Sequence, residues 1–231
     1  MQYLGSKNKI AKHLLPIILK NRKPGQYYVE PFMGGGNMID KVEGLRIGND
    51  INYYLIEMWK ALQKGWIPPD TVTEEEYHYY KKSQDLEDPA MVAFIGFMVS
   101  FGAKWFAGFS KNKKGDNYAL RGKRVLLKQL QLMKGVILEN SSYDKLEIPP
   151  NSIIYCDPPY RSTTGYKDSI DHDHFWQWCR DKSNEGHEVF ISEYNGPFDF
   201  ICVTEILHNT ILDKSKRYNR TEKLFKFEPL L

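Results

Sequence analysis

A short apolar run, Ser152-Ile153-Ile154-Tyr155-Cys156, stops at Asp157-Pro158-Pro159-Tyr160, and this junction limits what the chain can fold into more than any other stretch. A few apolar residues bounded by turn residues read as a buried strand. Paired prolines restrict the backbone and cannot extend the strand. An acid and an aromatic are thereby delivered to the loop at a buried strand's C-terminal end. In open α/β sheets that edge is where ligands bind.

Three further segments place glycine or acid where such a sheet turns. Tyr27 to Phe32 reads as a first strand inside Val29-Glu30-Pro31-Phe32-Met33-Gly34-Gly35-Gly36-Asn37. The glycines allow a sharp turn and close approach to a ligand, although a tight strand-to-helix connection uses the same residues. The spacing is not the dinucleotide G-x-G-x-x-G, because Asn37, Met38 and Ile39 follow Gly36. Arg46-Ile47-Gly48-Asn49-Asp50-Ile51-Asn52 reads as a second strand ending in an acid. From there a carboxylate can bond the ribose hydroxyls of a nucleotide-like cofactor, and it can also cap the next helix. The opening Tyr3-Leu4-Gly5-Ser6-Lys7 reads by itself as a basic terminal segment.

In this order the segments resemble the Dam-type, D12-class DNA adenine N6-methyltransferases of the alpha arrangement. The opening is similar to [WY]-x-G-[GS]-K, the glycine segment to F-x-G-x-G, Asn49 to Asn52 to N-D-I-N, and Asp157 to Tyr160 to D-P-P-Y. The likeness reaches Val189-Phe190-Ile191-Ser192-Glu193-Tyr194 and Tyr218-Asn219-Arg220-Thr221-Glu222-Lys223-Leu224-Phe225. Ser6 stands where a second glycine is commoner, and the chain is short for the family. The resemblance implies S-adenosylmethionine (SAM) as cofactor and S-adenosylhomocysteine as product. Its binding residues are then Tyr3, Lys7, Glu30, Pro31, Phe32, Gly34, Gly36, Asn37, Asp50, Ile51 and Asp157, with Tyr3 packed on the cofactor and Lys7 near its methionine carboxylate. The implied catalytic set is Asp157, Pro158, Pro159 and Tyr160.

The residue types suit that chemistry. The lone pair of adenine N6 is delocalised into the ring, so a methyl acceptor site must take hydrogen bonds from both N–H groups. Asp157 can take one and the Pro158 carbonyl the other, while Tyr160 stacks on the base. This is positioning and preorganised electrostatics, with no covalent enzyme intermediate. A base inside a duplex cannot reach such a loop, so base flipping in double-stranded DNA is expected. Two alternatives stay open: methylation of cytosine N4, which presents a similar amine, and an inactive DNA-binding relative.

Charge distribution points to the partner. Residues 103–135 carry nine Lys/Arg against the single Asp116, while 68–90 hold seven acids against Lys81 and Lys82. An excess of this kind is a candidate phosphate-binding surface. Trp105, Phe106, Phe109 and Tyr118 are interleaved with the lysines, and 111–117 reads as the turn of a β-hairpin. Lys104, Lys111, Lys113, Lys114, Arg121 and Arg124 are therefore the expected DNA contacts.

The expected architecture is a doubly wound, Rossmann-like α/β domain formed by 1–55 and 136–231. A mainly helical target-recognition insert bearing the hairpin occupies 56–135. Helices are expected at 8–22, 52–64, near 90–101 and at 172–184, with Phe175, Trp176 and Cys179 of the last turned inward. Strands are expected at 27–32, 45–49, 136–139, 152–156, 188–192, 202–208 and 222–228, the last two as an antiparallel pair. Cys156, Cys179 and Cys202 are too widely spaced for a zinc site or disulfide framework. Asp171-His172-Asp173-His174 reads as an acidic helix start rather than a metal site, and no metal is expected. With no run of eighteen apolar residues and no signal-peptide segment, a cytoplasmic enzyme is expected. It is expected to act as a monomer without an obligatory protein partner; the lack of a fused nuclease favours a phage or orphan setting, and a restriction-modification role stays open beside it.

Overall fold

The structure is a computed structural model that describes residues 1–160, 170–213 and 216–228, with the side chains of 208–213 and 216–220 outside the description. Its sheet is built from β1 (Tyr28–Glu30), β2 (Arg46–Asn49), β3 (Val136–Glu139), β4 (Ile153–Cys156), β5 (Glu188–Glu193), β6 (Phe200–Asp213) and β7 (Lys216–Phe227). The order is β3-β2-β1-β4-β5-β7-β6. The first five strands pair in parallel, and β7 runs antiparallel between β5 and β6. All seven expected strands are present, and the terminal antiparallel pair is longer than the sequence reading made it. From β1 the chain winds outward through β2 and β3, then returns to β4 beside β1 and winds the other way. The loops leaving β1 and β4 diverge at that switch point and open a crevice.

The described residues form six α-helices: α1 (Ala11–Ile18), α2 (Tyr53–Gln63), α3 (Glu74–Lys82), α4 (Pro89–Ala93), α5 (Tyr118–Leu130) and α6 (His172–Asn184). Alternation along the strands divides their side chains between two cores. Tyr28, Ile153, Tyr155 and Phe190 meet α1, α2, α4 and α5 on one face. Val29, Ile154, Cys156, Val189 and Ile191 meet Phe175, Trp176, Trp178 and Cys179 of α6 on the other. Trp59, Phe94 and Leu126, all between 56 and 135, share the first core with Tyr28 and Ile153.

Two expectations are corrected, and the helix near 90–101 is present in a different form. The helix expected at 8–22 is shorter, because Lys7–Lys9 forms a separate 3-10 turn that fixes Lys7 before α1 begins. The helix near 90–101 is α4 continued by a π-helical stretch, Phe94–Met98, whose five residues are all buried. A Cβ on Gly96 there would lie 2.6 Å from the Trp105 ring, so the glycine makes room for that indole. The hairpin is not formed: the described residues show only an isolated bridge between Ser100 and Phe109, and no strand flanks 111–117. Asn112 closes the segment as a turn, accepting from the Lys114 and Asp116 amides at 3.1 and 3.2 Å. Asn117 then caps α5 through the Leu120 amide.

Asp171 caps α6 by accepting from the Asp173 and His174 amides, as an acidic helix start should. Among the described residues no helix is long and apolar enough to cross a membrane.

Candidate active site

The crevice at the switch point is an open cleft of about 2400 Å³ lined by the N-terminal segment, the glycine loop, Asp50 and the Asp157 loop. Its floor begins at β1. Beyond Glu30 the chain turns through Gly34 and Gly36 at φ of +50° and +66°, angles that favour glycine. Asp50 at the end of β2 accepts from the Gly34 amide at 2.8 Å and from the Asn52 amide at 2.9 Å. It therefore ties the glycine loop to β2, and Asn52, not Asp50, caps α2 through the Leu55 amide. Ile51 follows on the cleft wall, 57% exposed.

The N-terminal segment folds over this loop. A Cβ on Gly34 would lie 2.9 Å from the Tyr3 ring, and one on Gly35 2.8 Å from Tyr3 Cβ. Tyr3, Pro31, Phe32, Gly34 and Asn37 all line the cleft. Asn37 is also bonded to the Met1 backbone in both directions. Gly36 is turned toward α5, its carbonyl accepting from Gln129, and Gly35 takes its place on the wall.

Lys7 reaches across the cleft to the Asp157 loop. Its ammonium sits 2.7 Å from Asp157 Oδ1 and 3.5 Å from Glu222 Oε1. Burial opposes the Lys7 charge, but Asp157 and Glu222 outweigh it and raise its pKa. Burial likewise pushes the Asp157 carboxyl up to about 6, with Lys7 opposing and Glu222 adding to the rise. About a fifth of the Asp157 side chain stays open to the cleft.

Around this pair the acceptor loop is held from several sides. The Tyr160 hydroxyl donates to Glu222 Oε1. Its ring meets Tyr194 edge-on at 4.7 Å, and the Lys7 ammonium lies 4.9 Å from its centre. Tyr155 and Ser192 share a buried 2.8 Å hydrogen bond beneath the loop. Glu30, buried in the floor, accepts from Tyr28 at 2.8 Å, and burial raises its pKa well above the ordinary range. Pro158 and Pro159 complete this wall.

The cationic residues divide into two groups. Lys104, Lys111 and Arg121 line the cleft, whereas Lys113, Lys114 and Arg124 are exposed outside it. Lys111 is paired with Glu74 of α3 at 3.1 Å, and Lys123 with Asp70 at 2.7 Å, so the neighbouring acidic stretch offsets part of the local charge. The interleaved aromatics are mostly packing residues. Trp105 meets Phe97 at 4.7 Å, Phe106 is 4% exposed, and Phe109 packs on Tyr77. Phe101, which sequence reasoning passed over, is 71% exposed on the cleft rim.

Residues 3–93 match the family of D12 class N6 adenine-specific DNA methyltransferases. Over that segment the chain is similar to the D12 class. It is 23% identical over 95% of its length to the type II methyltransferase M.FokI of Planomicrobium okeanokoites, and 27% identical over 71% to the modification methylase StsI of Streptococcus sanguinis. It spans only 38% and 29% of the lengths of those two proteins. Two solved structures are loosely similar. SMU.472 complexed with SAH is 14% identical, with a TM-score of 0.38 over 97% of this chain and 53% of that one. The tRNA (m1A58) methyltransferase TrmI from Aquifex aeolicus is 10% identical, with a TM-score of 0.40 over 100% and 72%. The fold assignment rests on the strand order above.

Glu222, Tyr194 and Tyr143 belong to the site and were not singled out in the sequence. Glu222 and Tyr194 lay inside segments that carried the family likeness, which was the one signal available for them. Tyr143, after β3, lines the cleft beside Phe32 at 5.2 Å between ring centres, and no local motif marks it. Tyr218, Asn219 and Arg220 lie outside the residues whose side chains are described.

Proposed function

We propose that this chain is a SAM-dependent methyltransferase acting on N6 of adenine in double-stranded DNA. One observation carries the reading: the glycine loop, Asp50 and Asp157, separated along the sequence, converge on one cleft at the sheet's switch point. The D12-class match over residues 3–93 supports it independently.

The cleft's chemistry suits the cofactor. Asp50 can accept from ribose hydroxyls, and exposed Ile51 with Phe32 and Tyr143 offers apolar surface for a flat heterocycle. The wall at Gly34 and Gly35 is kept low by the lack of side chains, with Tyr3 lying against it. SAM would supply the methyl group. The chain's own residues do the rest. Asp157 and the Pro158 carbonyl accept from the two N–H groups of the target amine, orient its lone pair and stabilise the positive charge that develops on nitrogen. Tyr160 packs on the base. Base flipping brings the adenine to Asp157, because the loop lies inside the cleft. Lys104 and Arg121 meet the DNA backbone from the cleft rim, within a target-recognition region formed by 56–135.

The deciding experiment incubates the protein with duplex DNA and methyl-labelled SAM and digests the product to nucleosides. Labelled N6-methyladenine is expected. Labelled N4-methylcytosine would overturn the adenine assignment, and SAM-independent DNA binding without transfer would make the protein an inactive relative.

A further inference from the structure

The proposed reaction needs Asp157 as an acceptor, yet Lys7 already occupies one of its oxygens at 2.7 Å. A target amine arriving there competes with an ammonium that, displaced without a second anion, would be a buried charge without a partner, which is costly. The structure holds an alternative partner. Glu222 of β7 is 3% exposed, with its Oε1 3.5 Å from the same ammonium.

We infer that Glu222 is a positioning residue for methyl transfer: it offers Lys7 a second anion, so that the ammonium moves from Asp157 to Glu222 as the target amine takes its place. The inference rests on the proposed function and deepens it. Glu222 reaches the site because β7 runs antiparallel beside β5, with Ser192 opposite Leu224 and Glu193 opposite Lys223. The Tyr160 hydroxyl donates to Glu222, so the same carboxylate anchors the aromatic of the acceptor loop. The shift requires only a small side-chain movement, no covalent step and no net transfer of a proton. Lys7 keeps a carboxylate at both ends of its travel, and Asp157 is left ionised and open to the cleft. Glu222 also acts on Asp157 directly as a like charge that raises its pKa.

Glu222→Gln tests this with little change of shape, since the amide oxygen can still accept from Tyr160. The groups facing Asp157 are Lys7 from the N-terminal segment, Glu222 from β7, Tyr155 from β4, Glu30 from β1, and Tyr160 from its own loop. Two measurements are made on the full chain. Carbon-13 titration of the Asp157 carboxyl in the free protein is expected to show a lower midpoint in E222Q than in wild type, while Glu222→Asp stays near wild type. Single-turnover methylation of duplex DNA at saturating SAM is expected to fall about tenfold in E222Q, less than the 10²–10³ expected for loss of a charge-stabilising group itself, with E222D recovering most of it. An unchanged Asp157 midpoint in E222Q, or methylation equal to wild type, overturns the inference. Failure of the wild-type protein to methylate DNA would instead remove the proposed function, and the titration would still decide whether Glu222 governs Asp157.

Discussion

The Lys7 ammonium lies 2.7 Å from Asp157 Oδ1, although the two residues are 150 positions apart in the chain. The contact joins the segment folded over the glycine loop to the loop that leaves β4. The two halves of the proposed site, one for cofactor and one for base, are therefore linked by an ion pair. A charge removed at either end leaves the other buried beside Glu222.

Asp157→Ala is expected to abolish methyl transfer while the protein stays folded. The Asp157 side chain is the charged acceptor on the cleft wall, and losing such a group costs on the order of 10²–10³ in rate. Lys7 keeps Glu222 as a partner at 3.5 Å, so the substitution does not strand the ammonium. Single-turnover methylation read beside thermal melting checks both parts. Activity within about tenfold of wild type with an unchanged melting temperature would falsify the assignment.

The pH dependence follows from the same carboxyl. Asp157 must be ionised to accept from the amine, and its pKa is raised to about 6. The logarithm of kcat/KM should therefore climb through about pH 6 and level off above it, as the free protein's essential base requires. The stability effect has the opposite sign. The folded protein holds the Asp157 proton more tightly than the unfolded chain, whose value is near 3.8. This contribution to stability is present below that value and is lost as pH rises through about 6. Rate profiles and melting curves between pH 4 and 8 measure the two effects. A rate that is flat from pH 5 upward contradicts the assignment.

The strands were legible because each is a short apolar run ended by a glycine, a proline or an acid. Their faces followed from alternation, which sends Tyr155 to one core and Cys156 to the other. Asp157 and Asp50 were legible because they stand at strand ends. The segment 111–117 was misread because a Gly115-Asp116 turn looks alike whether strands or a helix follow. Side-chain bonds from Asn112 and Asn117 decide that, and they are not visible as periodicity. Lys7 was located by motif, but its pairing with Asp157 and Glu222 was not legible, since the register that brings β7 and Glu222 beside it is a long-range property. Glu222 lies 62 positions beyond Tyr160, and only the antiparallel pairing of β5 with β7 brings the two together.

Asp50→Ala should affect both loop and cofactor. The carboxylate takes the Gly34 and Asn52 amides at 2.8 and 2.9 Å, so its loss removes one tie between the glycine loop and β2, while the Met33 amide still donates to the Asn49 carbonyl. SAM binding should weaken by about 1.5–3 kcal/mol, the range for hydrogen bonds to a charged group. DNA binding without cofactor should change much less. Calorimetry with SAM is the measurement, and unchanged affinity would leave Asp50 as a loop fastener alone.

The cationic residues should separate by position. Lys104 and Arg121 line the cleft, whereas Lys113 and Lys114 stand outside it on the 111–117 turn. Each phosphate contact on duplex DNA adds about 0.9 to the slope of log affinity against log salt, because condensed counterions are released. Replacing Lys104 and Arg121 by Gln should therefore flatten the slope by as much as about two units. The pair Lys113→Gln and Lys114→Gln should change it less. Lys111 should contribute less than its charge implies, since Glu74 holds it at 3.1 Å. SAM affinity should be the same in all these variants, because the proposed cofactor wall is the N-terminal segment, the glycine loop and Asp50. Binding titrations across a salt series decide the matter. A larger loss from the Lys113 and Lys114 pair would move the DNA path off the cleft rim and onto the turn. A changed sequence preference with an unchanged salt slope would mean that Lys104 or Arg121 reads base edges rather than phosphates.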